Sequence, residues 1–217
     1  MIYYLTMQKI RSLSLKDSGL GKKEWQVLKK LNSPKKIQDY LNKLPFNREK
    51  KGETYMSVGR SLKAGTVHCF EGALVAAAAL WIHGERPFLV DFKTVKEDED
   101  HVVVLFRRGG GWGAISKTNH AVLRYREPVY RDLRELAMSY FHEYFMTDGF
   151  KTLRTYSKPF DLSKKGTHWL TSSNDLIDMV NELEFSPHIK ILTPAQVRNL
   201  RKADKIETDT INNTEYA

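Results

Sequence analysis

Cys69 follows the segment Lys63-Ala64-Gly65-Thr66-Val67-His68 and opens an apolar run that continues through Ile82. A run of that composition predicts a helix, so the sulfur stands at a helix N-terminus, before unsatisfied backbone N–H groups and the positive end of the helix dipole. Both favour the thiolate, the reactive form of a cysteine. A nucleophilic thiol also needs a base, and the base needs a group that orients it. His101 opens a β-branched run, and Ser116, Lys117, Thr118 and Asn119 close a later one. If the two runs pair as a hairpin, the start of the first lies beside the end of the second. A helix N-terminus packed against that end of the sheet brings Cys69 to His101. The candidate catalytic residues are therefore Cys69 as nucleophile, His101 as its partner, and Asn119 or Ser116 as the orienting group. The backbone N–H of Cys69 is the first candidate oxyanion donor, and Tyr55, Ser61 and Lys63 are candidates for a second.

Plainer readings exist for each residue. A free cysteine is most often a small buried hydrophobe, and a strand-end histidine beside Asp98-Glu99-Asp100 is often a surface ion-pair partner. The same acidic run raises an imidazole pKa, which suits a thiolate–imidazolium pair. Residues adjacent along a chain usually point apart, so His68 is expected to flank the mouth of the site rather than act as base. Glu71 falls in the first helical turn, where an acid complements the dipole, and needs no catalytic role. Trp112 is expected in the core or in a cleft wall.

The elements that must position these groups can be read from periodicity and punctuation. Residues 1–20 look irregular. Apolar Trp25, Leu28 and Leu31 recur at helical spacing, and Asn32-Ser33-Pro34 reads as a cap with proline in the first turn of a second helix carrying Ile37, Tyr40, Leu41 and Leu44 on one face. Residues 53–66 read as extended or coiled, with Gly59 and Gly65 as breakers. The helix over residues 69–83 is apolar nearly all round, which predicts burial. Residues 87–92, 101–106, 112–115 and 121–126 read as strands, with Gly109-Gly110-Gly111 as a turn, in an antiparallel meander. An amphipathic helix follows over 133–145, then a loop-rich stretch over 147–170, a helix over 174–183 capped by Ser172 or Ser173, and a short helix over 194–200. Beyond Ala203 the chain is polar and expected to be frayed.

The order and setting of Thr66-Val67-His68-Cys69-Phe70-Glu71-Gly72-Ala73-Leu74, Asp100-His101-Val102-Val103 and Gly111-Trp112-Gly113-Ala114-Ile115-Ser116 resemble the transglutaminase-like branch of the papain-like cysteine enzymes, as found in bacterial transglutaminase-like domain proteins. The resemblance covers residues 60–120. It implies a cysteine at the start of the core helix, a histidine on the next strands, and an aspartate ending the strand after that. Here Ser116 stands where the aspartate would fall, and Asn119 lies three residues on, able to orient His101 as asparagine does in the papain branch. The loss of a carboxylate leaves an imidazolium less stabilised.

The expected fold is α+β: a buried core helix with the cysteine at its N-terminus, packed on an antiparallel sheet, with flanking helices. It is expected as a single domain over 1–217, with a basic helical part (1–55), the Cys/His core (56–146), a helical extension (147–203) and a disordered tail (204–217). One cysteine excludes an intramolecular disulfide and fits a reducing, cytoplasmic setting. No apolar stretch is long enough to span a bilayer. Residues 1–66 carry fifteen Lys and Arg against five Asp and Glu, and the remainder twenty against twenty-one, so the net positive charge lies in the first third. That third offers a surface for an acidic partner, whereas no zinc-finger spacing or RNP-like motif argues for nucleic acid. The expected function is thiol-dependent hydrolysis or transfer at an amide or peptide bond, with a peptide or protein substrate and without organic cofactor or metal. The alternative is a binding module that keeps the cleft without turnover.

Overall fold

The computed structural model describes residues 9–49 and 52–216. Four helices, α1 (Leu15–Ser18), α2 (Lys22–Lys30), α3 (Pro34–Lys43) and α4 (Val58–Ala64), precede the long α5 (Cys69–Ile82). Strands β1 (Phe88–Lys93), β2 (His101–Arg108), β3 (Gly111–Ser116) and β4 (Arg126–Tyr130) follow, then α6 (Leu133–Phe141), β5 (Thr155–Ser157), β6 (Phe160–Asp161), α7 (His168–Thr171), α8 (Ile177–Glu184), β7 (His188–Lys190), α9 (Pro194–Arg198) and α10 (Lys205–Thr208). The class is α+β, and the strands form one antiparallel sheet in the order β4-β3-β2-β1-β5-β7, with β6 also pairing β1.

The sheet is covered on both faces, which is why β2 reads as a continuous apolar run rather than an alternating one. Val102, Val104 and Phe106 pack with α5 and the first helices, while Val103 and Leu105 pack with Leu136, Ala137 and Tyr140 of α6. Helix α5 has buried residues on every side, since the sheet covers one side and α2, α3, α4 and α7 cover the other. Each fully buried Leu or Val of this helix contributes about 1.5–3 kcal/mol of transfer free energy. The β2–β3 hairpin turns on Gly109 (φ 56°) and Gly110 (φ 86°), left-handed conformations that match the twist of the flanking strands. Its register sets Val103 against Ser116, so the start of β2 and the end of β3 meet at one end of the sheet.

Several expectations are corrected. Residues 58–64 are helical rather than coiled: Ser57 caps α4 by accepting from Arg60 N–H, and Gly59 sits inside it because an added Cβ would lie 3.2 Å from the Leu170 carbonyl oxygen. The fourth strand is Arg126–Tyr130, not 121–126, and Pro128 is tolerated there because β4 is an edge strand. The helix placed at 174–183 begins at Ile177 with no side-chain cap. The stretch 147–170 contributes β5 and β6. The segment 204–216, expected to be disordered, folds back along residues 117–124: Thr214 bridges His120, and Glu215 N–H donates to the Asn119 carbonyl. No helix among the described residues is long and apolar enough to cross a membrane.

Helix α5 meets the chain just beyond β3 at Gly72 and Lys117. Lys117 is only 1% exposed, and its Nζ donates to the carbonyls of Leu41 and Leu44 at the end of α3, where a cation complements the helix dipole. An alanine Cβ at residue 72 would stand 2.7 Å from Lys117 Cβ. Gly72→Ala therefore destabilises by about 1–3 kcal/mol through overpacking, against its gain in helix propensity, and urea unfolding checks this; a stabilised variant would refute the contact.

Candidate functional site

The N-terminus of α5 is built around Glu71. Its carboxylate is fully buried and accepts from Asn47 Nδ2, Thr54 Oγ1, and the N–H groups of Met56 and His68. The bond to His68 N–H is one half of a capping box. The carboxylate thus ties the loop before α4 to the first turn of α5, and so fixes the height of Cys69.

His68 is the N-cap itself. Its extended backbone (φ −94°, ψ −169°) turns the ring back over the first turn. Nδ1 accepts from Phe70 N–H at 3.3 Å, Nε2–H donates to the Thr54 carbonyl at 2.8 Å, and Nδ1 lies 3.9 Å from Cys69 Sγ. The ring is buried, not at the mouth of the site, which corrects the expectation that it points away from the cysteine. Burial opposes a charge on this ring, but the Cys69 sulfur, the Glu71 carboxylate and the Thr54 carbonyl together hold its pKa above the ordinary range.

His101 approaches the sulfur from the sheet. It opens β2 and is buried, as is Ser116 at the end of β3. Ser116 Oγ–H donates to the Leu123 carbonyl at 2.5 Å. With its hydrogen committed, Oγ accepts from His101 Nε2–H at 2.7 Å. The proton of the neutral ring is therefore on Nε2, and the Nδ1 lone pair is left for Cys69. Burial raises the Cys69 pKa, but the neighbouring His101 and His68 rings and their charge outweigh it and bring it down to about 6. Cys69 is half-buried and lines a cleft of about 950 Å³ that His68, His101 and Lys117 also line. A thiolate present at neutral pH, beside an imidazole that has taken the thiol proton on Nδ1, can attack an electrophilic carbon while the imidazolium returns that proton to a leaving group.

Two neighbours hold Ser116. Gln38 of α3 donates to its carbonyl at 2.7 Å and accepts from its N–H at 3.0 Å, pairing with the strand end as another strand would. Leu123 has φ 60°, a strained conformation for a branched residue. It is held there by Glu143, which accepts from Leu123 N–H at 2.7 Å and pairs with Arg126. Neither residue was foreseen; the available signal for Gln38 was a polar residue one step from Ile37 on the buried side of an amphipathic helix.

The structure thus brings Cys69, His101 and Ser116 together and gives Asn119 another task. The Asn119 amide donates to the Tyr216 carbonyl and accepts from Tyr216 N–H, clasping the last described segment rather than His101. Of the candidate oxyanion donors, Tyr55 lines the cleft but donates its hydroxyl to Glu53. Ser61 and Lys63 lie on α4, the first buried and the second exposed, and neither lines the cleft. Trp112 is buried in the core between the sheet and α6. Among the described residues, no group of three His, Cys, Asp or Glu side chains converges to hold a metal ion. Compared with known proteins, the chain matches no family model and no curated protein.

The thiol should alkylate with iodoacetamide along a pH profile centred near 6, because the thiolate that reacts is populated above its pKa and lost below it. His101→Ala removes the largest stabilising partner, so the midpoint should climb toward the ordinary value of ~8.5. A native midpoint already at the ordinary value would refute the site electrostatics.

Proposed function

We propose that the protein is a transglutaminase-like cysteine hydrolase or acyltransferase acting on an amide or peptide bond through the Cys69–His101 pair. The observation that carries this reading is the hydrogen-bond chain from His101 Nε2 through Ser116 to the Leu123 carbonyl, which leaves one imidazole nitrogen for the thiol. The buried helix with its cysteine at the start, packed on an antiparallel sheet, supports the papain-like part of the reading. Cys69 gives its thiol proton to His101 Nδ1; the thiolate then attacks the carbonyl carbon, and the π electrons of the carbonyl move onto its oxygen. Collapse of the tetrahedral species breaks the C–N bond, and His101 Nδ1–H protonates the departing amine. Water, or an amine in a transferase, then attacks the thioester while His101 takes its proton, and Cys69 leaves as thiolate.

The cleft accommodates a peptide segment, since pockets of about 300–1,000 Å³ enclose most of a drug-sized ligand. Among the described residues its lining holds eight Asp and Glu against four Lys and Arg, which favours neutral or basic stretches of substrate over acidic ones. The basic faces of α2 and α3 are separate from it and suit the acidic partner foreseen for the first third of the chain. An uncharged serine behind His101 favours modest turnover, and it is also the observation that favours the second reading, a binding module with a reactive thiol but no catalytic cycle.

Turnover of a p-nitrophenyl ester and of a fluorogenic peptide amide separates the two readings. In the enzyme, Cys69→Ala abolishes both reactions. Ser116→Ala slows them roughly 10- to 100-fold by releasing the imidazole, less than the ~10²–10⁴ that loss of proton transfer itself costs. A binding module alkylates readily at Cys69 yet turns over neither substrate.

A further inference from the structure

We propose that the Tyr144 hydroxyl is the second hydrogen-bond donor, beside the Cys69 backbone N–H, to the carbonyl oxygen of the group that Cys69 attacks. The proposal rests on the acyl-transfer reading and supplies the donor that Tyr55, Ser61 and Lys63 do not. Cys69 is the first residue of α5, so its N–H has no acceptor within the helix and is the natural first donor. Tyr144 follows α6 and lines the same cleft as Cys69 and His101.

Three observations converge on its hydroxyl. The side chain is only 3% exposed, yet its oxygen has no hydrogen-bond partner among the described residues. Buried hydroxyls nearly always have partners, and an exception calls for an explanation. Its ring is packed in the core with Phe92, Tyr140 and Phe141, and its carbonyl accepts from Thr152 N–H, so the side chain is held rigidly. Burial first, and then the negative charge of the Cys69 sulfur, hold it in the protonated, donating form. The sulfur is therefore its electrostatic neighbour without being its hydrogen-bond acceptor. On this proposal the carbonyl oxygen of a group bonded to that sulfur lies within reach of the hydroxyl. Donors fixed before the reaction, and aimed where negative charge develops, stabilise the transition state without reorganising.

Tyr144→Phe removes one oxygen and nothing of the packing. The test compares Cys69 acylation by p-nitrophenyl acetate with Cys69 alkylation by iodoacetamide, since only acylation places charge on an oxygen. Acylation should fall on the order of 10²–10³-fold, the usual effect of losing one oxyanion donor, while alkylation and the melting temperature stay at native values. Equal acylation in the two proteins overturns the proposal and leaves the acyl-transfer reading intact. A parallel fall in acylation and alkylation also overturns it, since Tyr144 would then act on the thiol rather than on the oxyanion. If the native protein itself releases no more p-nitrophenolate than Cys69→Ala, the acyl-transfer reading fails and takes this proposal with it.

Discussion

The site depends first on the Glu71 carboxylate, a full charge without solvent contact. Removing such a group from water costs several kcal/mol unless its lone pairs are satisfied. Among the described residues no Lys or Arg pairs with it, and its one cationic neighbour is the His68 ring, 3.6 Å away. Its donors are the Asn47 amide, the Thr54 hydroxyl and two backbone N–H groups, with the positive end of α5 behind them. Because the donors come from before α4 and from the start of α5, satisfying the charge draws Asn47, Thr54 and Met56 and the first turn of α5 into one geometry. His68 and Cys69 take their positions from it, and His68 in turn fastens to Thr54.

A second constraint is the absence of a carboxylate behind His101. A serine can orient an imidazole only if its own hydrogen is committed elsewhere, because a free hydroxyl rotor could equally donate to the ring nitrogen and reverse the tautomer. Here the Leu123 carbonyl takes that hydrogen, and it does so from a left-handed conformation held by Glu143. Strain of this kind costs about 1–3 kcal/mol and persists only where the surroundings over-determine it. Gln38 supplies the other half of the constraint by fixing the Ser116 main chain. The charge that an aspartate would have contributed is thus replaced by geometry as far as orientation goes, but not as far as stabilising an imidazolium goes.

Much of this was legible in the residues. The all-round apolar pattern of 69–82 marked a helix buried on every side, and the two strand-like runs around Gly109-Gly110 marked a hairpin whose register brings His101 to Ser116. Both signals are local, and each is carried by many residues. The choice between Ser116 and Asn119 was not legible, because it is decided by contacts far along the chain: Leu123 captures one and Tyr216 the other. The strands Thr155–Ser157 and His188–Lys190 are too short to show a period, and they exist because β1 and β5 offer them an edge. The ordered course of 204–216 was hidden for a related reason. Its polar composition suits a frayed tail, but its backbone is satisfied by residues 119 and 120 rather than by water. The position of His68 was missed because adjacent side chains diverge in regular structure, whereas a cap residue lies outside the helix and folds its side chain back across it.

The two histidines on the sulfur are not equivalent, and the difference follows from what else each ring must do. His68 Nδ1 accepts the Phe70 N–H, so a proton on that nitrogen forfeits a helix-capping bond, and its Nε2–H is already held by Thr54. Protonation of His68 on Nδ1, which its raised pKa favours, therefore costs the capping bond from Phe70. His101 has no such conflict: its Nε2–H stays on Ser116 while Nδ1 gains or loses a proton. His101 is the ring that can cycle between states without moving the backbone, which is what a base in repeated turnover requires. The same asymmetry assigns His68 a static role, in which its charge helps depress the thiol pKa while its Nε2–H keeps Thr54 fastened to the helix start.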